Sequence, residues 1–118
     1  ELRSSVDETH DILSEFGEVR WFRPASGWYS RTVLDVAKQH DYQTALGSVF
    51  PFDTHIRSVD FAVWYVLGNV RPGAIVVLHD GGDRGSRTAA TLERVLPALS
   101  DRGYQVTSLS EAIAHRNP

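Results

Sequence analysis

Three short segments, at residues 23–27, 50–55 and 79–80, hold ionisable or polar side chains that can do chemistry. A histidine held by an aspartate can stay protonated near neutral pH and give a proton to a leaving group, which is the chemistry predicted for His79. A carboxylate such as Asp53 can orient a histidine ring or bind a metal ion. Arg23 at a strand end favours pairing with an anion or a carboxylate. The turn at Ser26 can aim backbone N–H groups at a developing oxyanion. Together these residue types predict acid–base chemistry, provided that the segments meet.

Each of these residues also has a purely structural interpretation. His79 can be a strand-end histidine that only satisfies hydrogen bonds, and Arg23 can be a surface arginine whose stem packs on a nearby tryptophan. Asp53 can be a turn residue, or it can form a pair of metal ligands with His55 two positions later. These alternatives remain open at the level of single residues.

The elements that must position these segments alternate between helix and strand. Helices are predicted over 5–16 with a capping box at Ser5, after caps at Ser30 and Ser58, over 87–100 with a kink at Pro97, and over 110–115. Strands are predicted over 19–23, 42–46, 74–78 and 104–109, the third of them buried on both faces. This alternation indicates an α/β fold of parallel βα units, in which the loops after the strands share one edge.

The size and charge of the chain exclude several classes of function. Its 118 residues predict a single domain over 1–118, and 12 Lys and Arg against 15 Asp and Glu give a net charge of −3. The basic residues form no runs, so we expect no nucleic-acid partner. No apolar run reaches the roughly 18 residues of a membrane span. There is no Cys, which excludes disulfides and thiolate metal sites without assigning a compartment.

A glycine-rich segment over 81–86 precedes the fourth predicted helix. Its amides would suit a phosphate, which makes an open α/β anion-binding module one alternative function. The segment lacks the spacing and the lysine of a P-loop and carries an aspartate at its centre.

Two longer motifs resemble those of a known enzyme family. Residues 20–27, Arg-Trp-Phe-Arg-Pro-Ala-Ser-Gly, resemble the third motif of the polysaccharide deacetylases of carbohydrate esterase family 4, and residues 75–80, Ile-Val-Val-Leu-His-Asp, resemble their fifth. Asp53 falls where the fourth motif supplies an aspartate, within a segment similar to the chitin-deacetylase-like branch. The resemblance covers residues 5–113.

The resemblance implies metal-dependent hydrolysis of N-acetyl or O-acetyl groups on a polysaccharide, in a distorted (β/α)7 barrel that carries Zn²⁺. It implies that His79 is the general acid, that Asp53 holds its ring, and that Arg23 orients the catalytic base. It also implies that the Ser26 amide is the oxyanion donor and that Leu78 lines the pocket for the acetyl methyl group. The aromatic residues expected at the rim, where they would contact the sugar, are Trp28, Tyr29 and Phe50.

Two family motifs are missing from the sequence. The Thr-Phe-Asp-Asp-Gly motif that supplies the base and one metal ligand is absent, and no two histidines are spaced four apart as in His-x-x-x-His. A complete (β/α)8 barrel takes about 250 residues. We therefore expect this chain to be the C-terminal portion of a deacetylase domain, completed by an upstream segment or a second copy, with no metal ligands of its own. Alone it should bind no Zn²⁺ tightly and be inactive; the alternative is a non-catalytic carbohydrate-binding relic.

Overall fold

The computed structural model describes residues 1–116, which divide into two compact units. Unit 1 comprises Glu1–Leu46, and unit 2 begins at Gly47. The prediction of one domain over 1–118 stays a prediction.

Unit 1 contains two helices and a pair of short parallel strands. Helix α1 spans Leu2–Ser14, β1 spans Trp21–Phe22, α2 spans Arg31–Gln39 and β2 spans Gln43–Thr44. The strands pair in parallel, with Trp21 opposite Gln43 and Phe22 opposite Thr44. Helix α1 packs against α2, and the buried apolar residues of the unit are Val6, Val36, Ala37 and Ala45. The predicted α/β class with parallel strands is therefore confirmed.

Serine caps determine where α2 and α3 begin. The Ser30 hydroxyl accepts the Val33 N–H at 3.3 Å, and the Ser58 hydroxyl accepts the Phe61 N–H at 3.2 Å. Both caps agree with the sequence because each satisfies an amide that the first helical turn leaves without a partner. The prediction for α1 was wrong by one turn, since the Ser5 N–H already donates to the Glu1 carbonyl at 3.0 Å and Ser5 lies inside the helix.

Unit 2 is organised around two packed helices. Helix α3 spans Val59–Asn69, α4 spans Asp83–Asp101 and α5 spans Leu109–Arg116. Helices α3 and α4 pack against each other, and α4 continues through Pro97 to Asp101. The core consists of buried apolar residues from both helices and the preceding segment: Val49, Val63, Val66, Val70, Val95 and Leu99.

Two of the four predicted strands do not form in the described residues. The 74–78 run makes a single parallel bridge, between Val49 and Val76, and Val76 is exposed rather than buried. Residues 104–108 belong to no strand within 1–116. A strand exists only where a neighbour completes its hydrogen bonds. The prediction of four strands was therefore wrong for the part of the chain that the structure describes.

Helix α5 begins with a capping box instead of following a strand. The Ser108 N–H donates to the Glu111 carboxylate at 3.1 Å, and the Glu111 N–H donates back to the Ser108 hydroxyl at 3.3 Å. This reciprocal pair satisfies two amides at the helix start. Among the described residues, no helix is both long and apolar enough to cross a membrane.

Candidate functional site

Asp53 and His79 form a hydrogen-bonded pair in unit 2. One carboxylate oxygen of Asp53, Oδ1, lies 2.9 Å from His79 Nδ1, and the other, Oδ2, accepts the His79 backbone N–H at 2.7 Å. The Asp53 side chain is 14% exposed and the His79 side chain 35%. The carboxylate is thus enclosed, whereas the imidazole reaches the surface.

The chemistry of the two groups sets the hydrogen position on the ring. An ionised carboxylate has no hydrogen to donate, so Nδ1 of His79 must donate to Asp53. The other ring nitrogen, Nε2, makes no hydrogen bond within residues 1–116. A ring anchored in this way can donate or accept a proton at Nε2 while its orientation stays fixed.

The backbone around the pair is held by local interactions. Pro51 is buried, Phe52 takes a left-handed conformation with φ 55°, and the Phe52 carbonyl accepts the Ile56 N–H at 2.7 Å. A left-handed φ at a bulky residue is uncommon and indicates a conformation that the surrounding structure enforces. The turn over 52–56 therefore fixes the position of Asp53.

Leu78 lies beside this pair. It is half-buried and lines, with Asp53, a narrow cavity of about 10 Å³ that has room for about one water molecule. The Thr88 hydroxyl of α4, which lines the same cavity, donates to the His79 carbonyl. The predicted contact of Leu78 with an acetyl methyl group stays a prediction.

Arg23 and Ser26 belong to unit 1. Arg23 is exposed and follows β1 directly, and Ser26 lies in a short 3-10 turn over Ala25–Gly27 with φ 56° and ψ 13°. The amides of the next two residues donate to carbonyls within this turn, whereas the Ser26 amide has no acceptor among the described residues. A serine in this left-handed region is uncommon, and the turn leaves its amide available to a ligand. The meeting of Arg23 with Asp53 and His79 stays a prediction.

The three aromatic residues predicted to contact sugar are all exposed. Trp28 and Tyr29 of unit 1 are 82% and 56% exposed, and Phe50 of unit 2 is 47% exposed with an edge-to-face contact to Phe52. Exposed aromatic faces are what sugar stacking requires, although single exposed apolar residues are common on proteins.

The described side chains offer no complete set of donors for a metal ion. Within residues 1–116, no group of three His, Asp or Glu side chains is close enough to hold one. Asp53 and His79 use their facing atoms on each other. The described residues therefore do not fit the Zn²⁺ that the family resemblance implies.

The glycine-rich segment differs from its prediction. Helix α4 begins at Asp83, four residues before the predicted start, and the amides of Arg84 and Gly85 donate to the Gly81 and Gly82 carbonyls at 3.2 Å. Two amides that the sequence offered to a phosphate are therefore used within the turn.

Two polar clusters escaped the sequence analysis. In unit 2, Arg57, Arg84 and Arg87 line one open cleft of about 280 Å³. The available signal in the sequence was the spacing of Arg84 and Arg87 on one helix face.

In unit 1, His10 and His40 lie in ring contact, with centroids 4.5 Å apart. His10 Nδ1 is 2.7 Å from the Tyr42 hydroxyl, and burial raises the pKa of Tyr42. His40 Nε2 is 2.7 Å from Asp7.

Comparison with known proteins relates the chain to enzymes that remove acetyl groups from glycans. It is 38% identical over 98 residues to a peptidoglycan-N-acetylglucosamine deacetylase of Bacillus cereus, covering 81% of this chain and 46% of the relative. It is 35% identical over 117 residues to a chitooligosaccharide deacetylase of Azorhizobium caulinodans, covering 90% and 56% respectively. The chain thus spans about half the length of the curated relatives it matches. No family model matches it.

The solved structures give a similar result. A CE4 family pseudoenzyme from Bacillus anthracis superposes with a TM-score of 0.84 at 27% identity, over 95% of this chain and 39% of that one. A mutant of the same protein, described as having restored enzymatic activity, superposes with a TM-score of 0.85 at 28% identity, over 95% and 40%.

Proposed function

We propose that this chain, which belongs to the polysaccharide deacetylases of carbohydrate esterase family 4 and corresponds to their C-terminal portion, supplies the proton-donating side of an acetyl-hydrolysing site. The substrate is an acetylated polysaccharide or oligosaccharide. The observation that carries the proposal is the Asp53–His79 pair, with both carboxylate oxygens bound to one residue.

The reaction needs a proton donor at its second step. Water adds to the carbonyl carbon of an N-acetyl group, and the C–N bond of the resulting intermediate then breaks to give acetate and an amine. The departing nitrogen must gain a proton, which His79 donates from Nε2 while Asp53 stabilises the imidazolium through Nδ1. For an O-acetyl group the same proton goes to the departing alcohol oxygen.

The remaining roles rest on the family resemblance. Arg23 orients the catalytic base, the Ser26 amide stabilises the oxyanion, and Leu78 contacts the acetyl methyl group. Trp28, Tyr29 and Phe50 contact the sugar. The base and the Zn²⁺ ligands come from an upstream segment of the same domain or from a second copy, and the complete domain is a distorted (β/α)7 barrel.

The proposal is tested by acetate release from an acetylated chito-oligosaccharide, using the protein with its complete site. His79→Ala should lower turnover by about 10²- to 10⁴-fold, the usual contribution of a general acid. His115→Ala is the matched control, because His115 is an exposed histidine of α5 that lines neither cavity near Asp53. Unchanged turnover in His79→Ala would remove this residue from the mechanism. The 118-residue chain alone should release no acetate, and release would contradict the division of roles.

A non-catalytic glycan-binding function is the second candidate, and the similarity to a pseudoenzyme favours it. It predicts that the complete protein binds chito-oligosaccharide and releases no acetate with or without added Zn²⁺. Acetate release that depends on His79 would exclude it.

A further inference from the structure

Three arginines of unit 2 converge on one open cleft, which we call the arginine cleft. Its volume is about 280 Å³. Its lining residues come from the loop after Asp53 and from the start of α4: Thr54, His55, Arg57, Gly81, Asp83, Arg84 and Arg87. Three guanidinium groups therefore face a single carboxylate among these residues.

That carboxylate offsets only part of the positive charge in the cleft. Asp83 reaches Arg57 only at 3.9 Å, with both side chains largely exposed. Elsewhere in unit 2 an arginine meets its acceptor closely, as Arg94 does with Asp60 at 2.6 Å. The cleft thus carries about two uncompensated positive charges in a chain whose net charge is −3. Like charges that line one cleft repel each other, and a bound anion would relieve the repulsion.

The positive charge is a property of side chains and not of a helix end. Asp83 already places a carboxylate in the first turn of α4, where it interacts with the helix dipole. The amides of Arg84 and Gly85 are occupied by carbonyls of the preceding glycines. An anion in the cleft would therefore be held by the guanidinium groups.

The cleft adjoins a cavity lined by Asp53, the carboxylate partner of His79. All three arginines also line the narrow cavity that Asp53 and Leu78 line. Ligand pockets typically measure about 300–1,000 Å³, so the arginine cleft suits one sugar-sized group rather than an oligomer. If the proposed function holds, we expect a group bound there to belong to a sugar neighbouring the one whose acetyl group is removed.

We propose that Arg57, Arg84 and Arg87 form a subsite for a carboxylate carried by the substrate glycan on a sugar neighbouring the acetylated one. The planar fork of a guanidinium matches a carboxylate in two parallel hydrogen bonds. Asp83, on the rim of the same cleft, opposes the anion and weakens its binding. This proposal rests on the proposed function in one respect only, namely that the molecule bearing the carboxylate is a glycan.

The test is a binding measurement, by calorimetry at low salt, with two probes of equal length. One probe is a neutral chito-oligosaccharide, and the other is a β-1,4-linked oligomer of the same sugars in which one unit carries a carboxylate. The carboxylated probe should bind at least about tenfold more tightly, and added salt should reduce this preference. Equal affinity for the two probes, or binding of neither, would overturn the proposal.

Substitutions assign the preference to the arginines. Arg84→Gln and Arg87→Gln should each reduce it several-fold, and Arg87→Lys should reduce it less because the charge remains while the fork is lost. Arg94→Gln is the control, since it removes the same charge from the same helix at its ion pair with Asp60. A preference unchanged in both cleft variants would overturn the proposal.

A variant that binds more tightly cannot be explained by unfolding, so one substitution is chosen to increase affinity. Asp83→Asn should tighten the carboxylated probe by a few-fold without affecting the neutral one; no change or a loss would count against the proposal. Inorganic phosphate is a further arm, and a cleft that binds phosphate but not the carboxylated probe would overturn it. His79→Ala should retain the preference for the carboxylated probe. If the complete protein shows this preference but releases no acetate, the proposed function fails and the subsite stands. If it releases acetate but shows no preference, the subsite fails and the proposed function stands.

Discussion

Replacing Asp53 by asparagine tests how the structure orients His79. Asp53 makes two hydrogen bonds to that residue, one to its backbone N–H at 2.7 Å and one to Nδ1 of its ring at 2.9 Å. Asparagine has a single acceptor oxygen of similar reach. If that oxygen keeps the backbone N–H, the amide NH₂ faces Nδ1, which must then accept, and the ring hydrogen moves to Nε2.

The size of the effect follows from which bond is lost. A hydrogen bond to a charged group contributes about 1.5–3 kcal/mol to the free energy of unfolding. Asp53→Asn replaces the charged acceptor of both hydrogen bonds by a neutral group, and only one of the two bonds keeps an oxygen acceptor. Because the His79 ring is 35% exposed, we expect a loss near the lower end of that range. In a domain of about 100 residues this lowers Tm by about 5–10 °C. Asp53→Ala, which leaves the backbone N–H without its acceptor, should lose more.

Two measurements check this prediction. Nitrogen chemical shifts from NMR report which ring nitrogen of His79 carries the hydrogen, and thermal unfolding reports stability. Asp80→Asn is the matched control, since it makes the same change at the exposed neighbouring residue and should affect neither quantity. A ring that keeps its hydrogen on Nδ1 in Asp53→Asn, or a Tm equal to that of the control, would refute the reasoning about the pair.

Three further predictions concern stability. A methyl group at Gly47 would overlap the Val77 side chain, so Gly47→Ala should lower the free energy of unfolding, measured with denaturant, by about 1–3 kcal/mol. Adding Val77→Ala should restore part of this loss. Losses that simply add in the double variant would contradict the overlap. Ser58→Ala removes the α3 cap and should cost about 0.5–2 kcal/mol, with less effect from Ser58→Asn, and equal losses would contradict the cap. Hydrogen bonds led by that of the Thr107 hydroxyl lower the pKa of Glu111 to about 2, from an ordinary 4.5. Its carboxylate should therefore stabilise α5 above about pH 4.5 and lose this effect towards pH 2, as measured by amide hydrogen exchange in α5. Glu111→Gln should remove this pH dependence. A pH dependence that survives in Glu111→Gln would contradict the assignment to Glu111.

Local signals in the sequence predict the helices of this chain well. The caps at Ser30 and Ser58 involve residues three apart, so the first residues of α2 and α3 follow from the sequence. The start of α1 was misplaced because a capping-box spacing at Ser5 also fits a helix interior. The start of α4 was misplaced because glycines 81 and 82, taken as the first part of a longer loop, lead directly into it.

Interactions between distant segments explain what the sequence could not predict. The apolar run 74–78 has the composition of a buried strand, but pairing depends on a neighbour, and residues 48–49 supply one bridge only. The arginine cleft brings Arg57 together with Arg84 and Arg87, which lie across α3 in the sequence. Only the packing of α3 against α4 makes them neighbours, and no spacing rule anticipates it.

The His79 side chain has a well-defined position although few strand-to-strand hydrogen bonds form around it. In a sheet, the N–H and C=O of a residue at a strand end would be satisfied by adjacent strands. Here Asp53 accepts the N–H and the Thr88 hydroxyl donates to the C=O, so two side chains take the place of strand partners. Because Asp53 also binds the ring, the group that anchors the backbone is the one that orients the imidazole. Thr88→Val should therefore loosen the His79 backbone while leaving the ring hydrogen on Nδ1, a combination that NMR can measure, and a moved ring hydrogen would show that the two anchors are not independent.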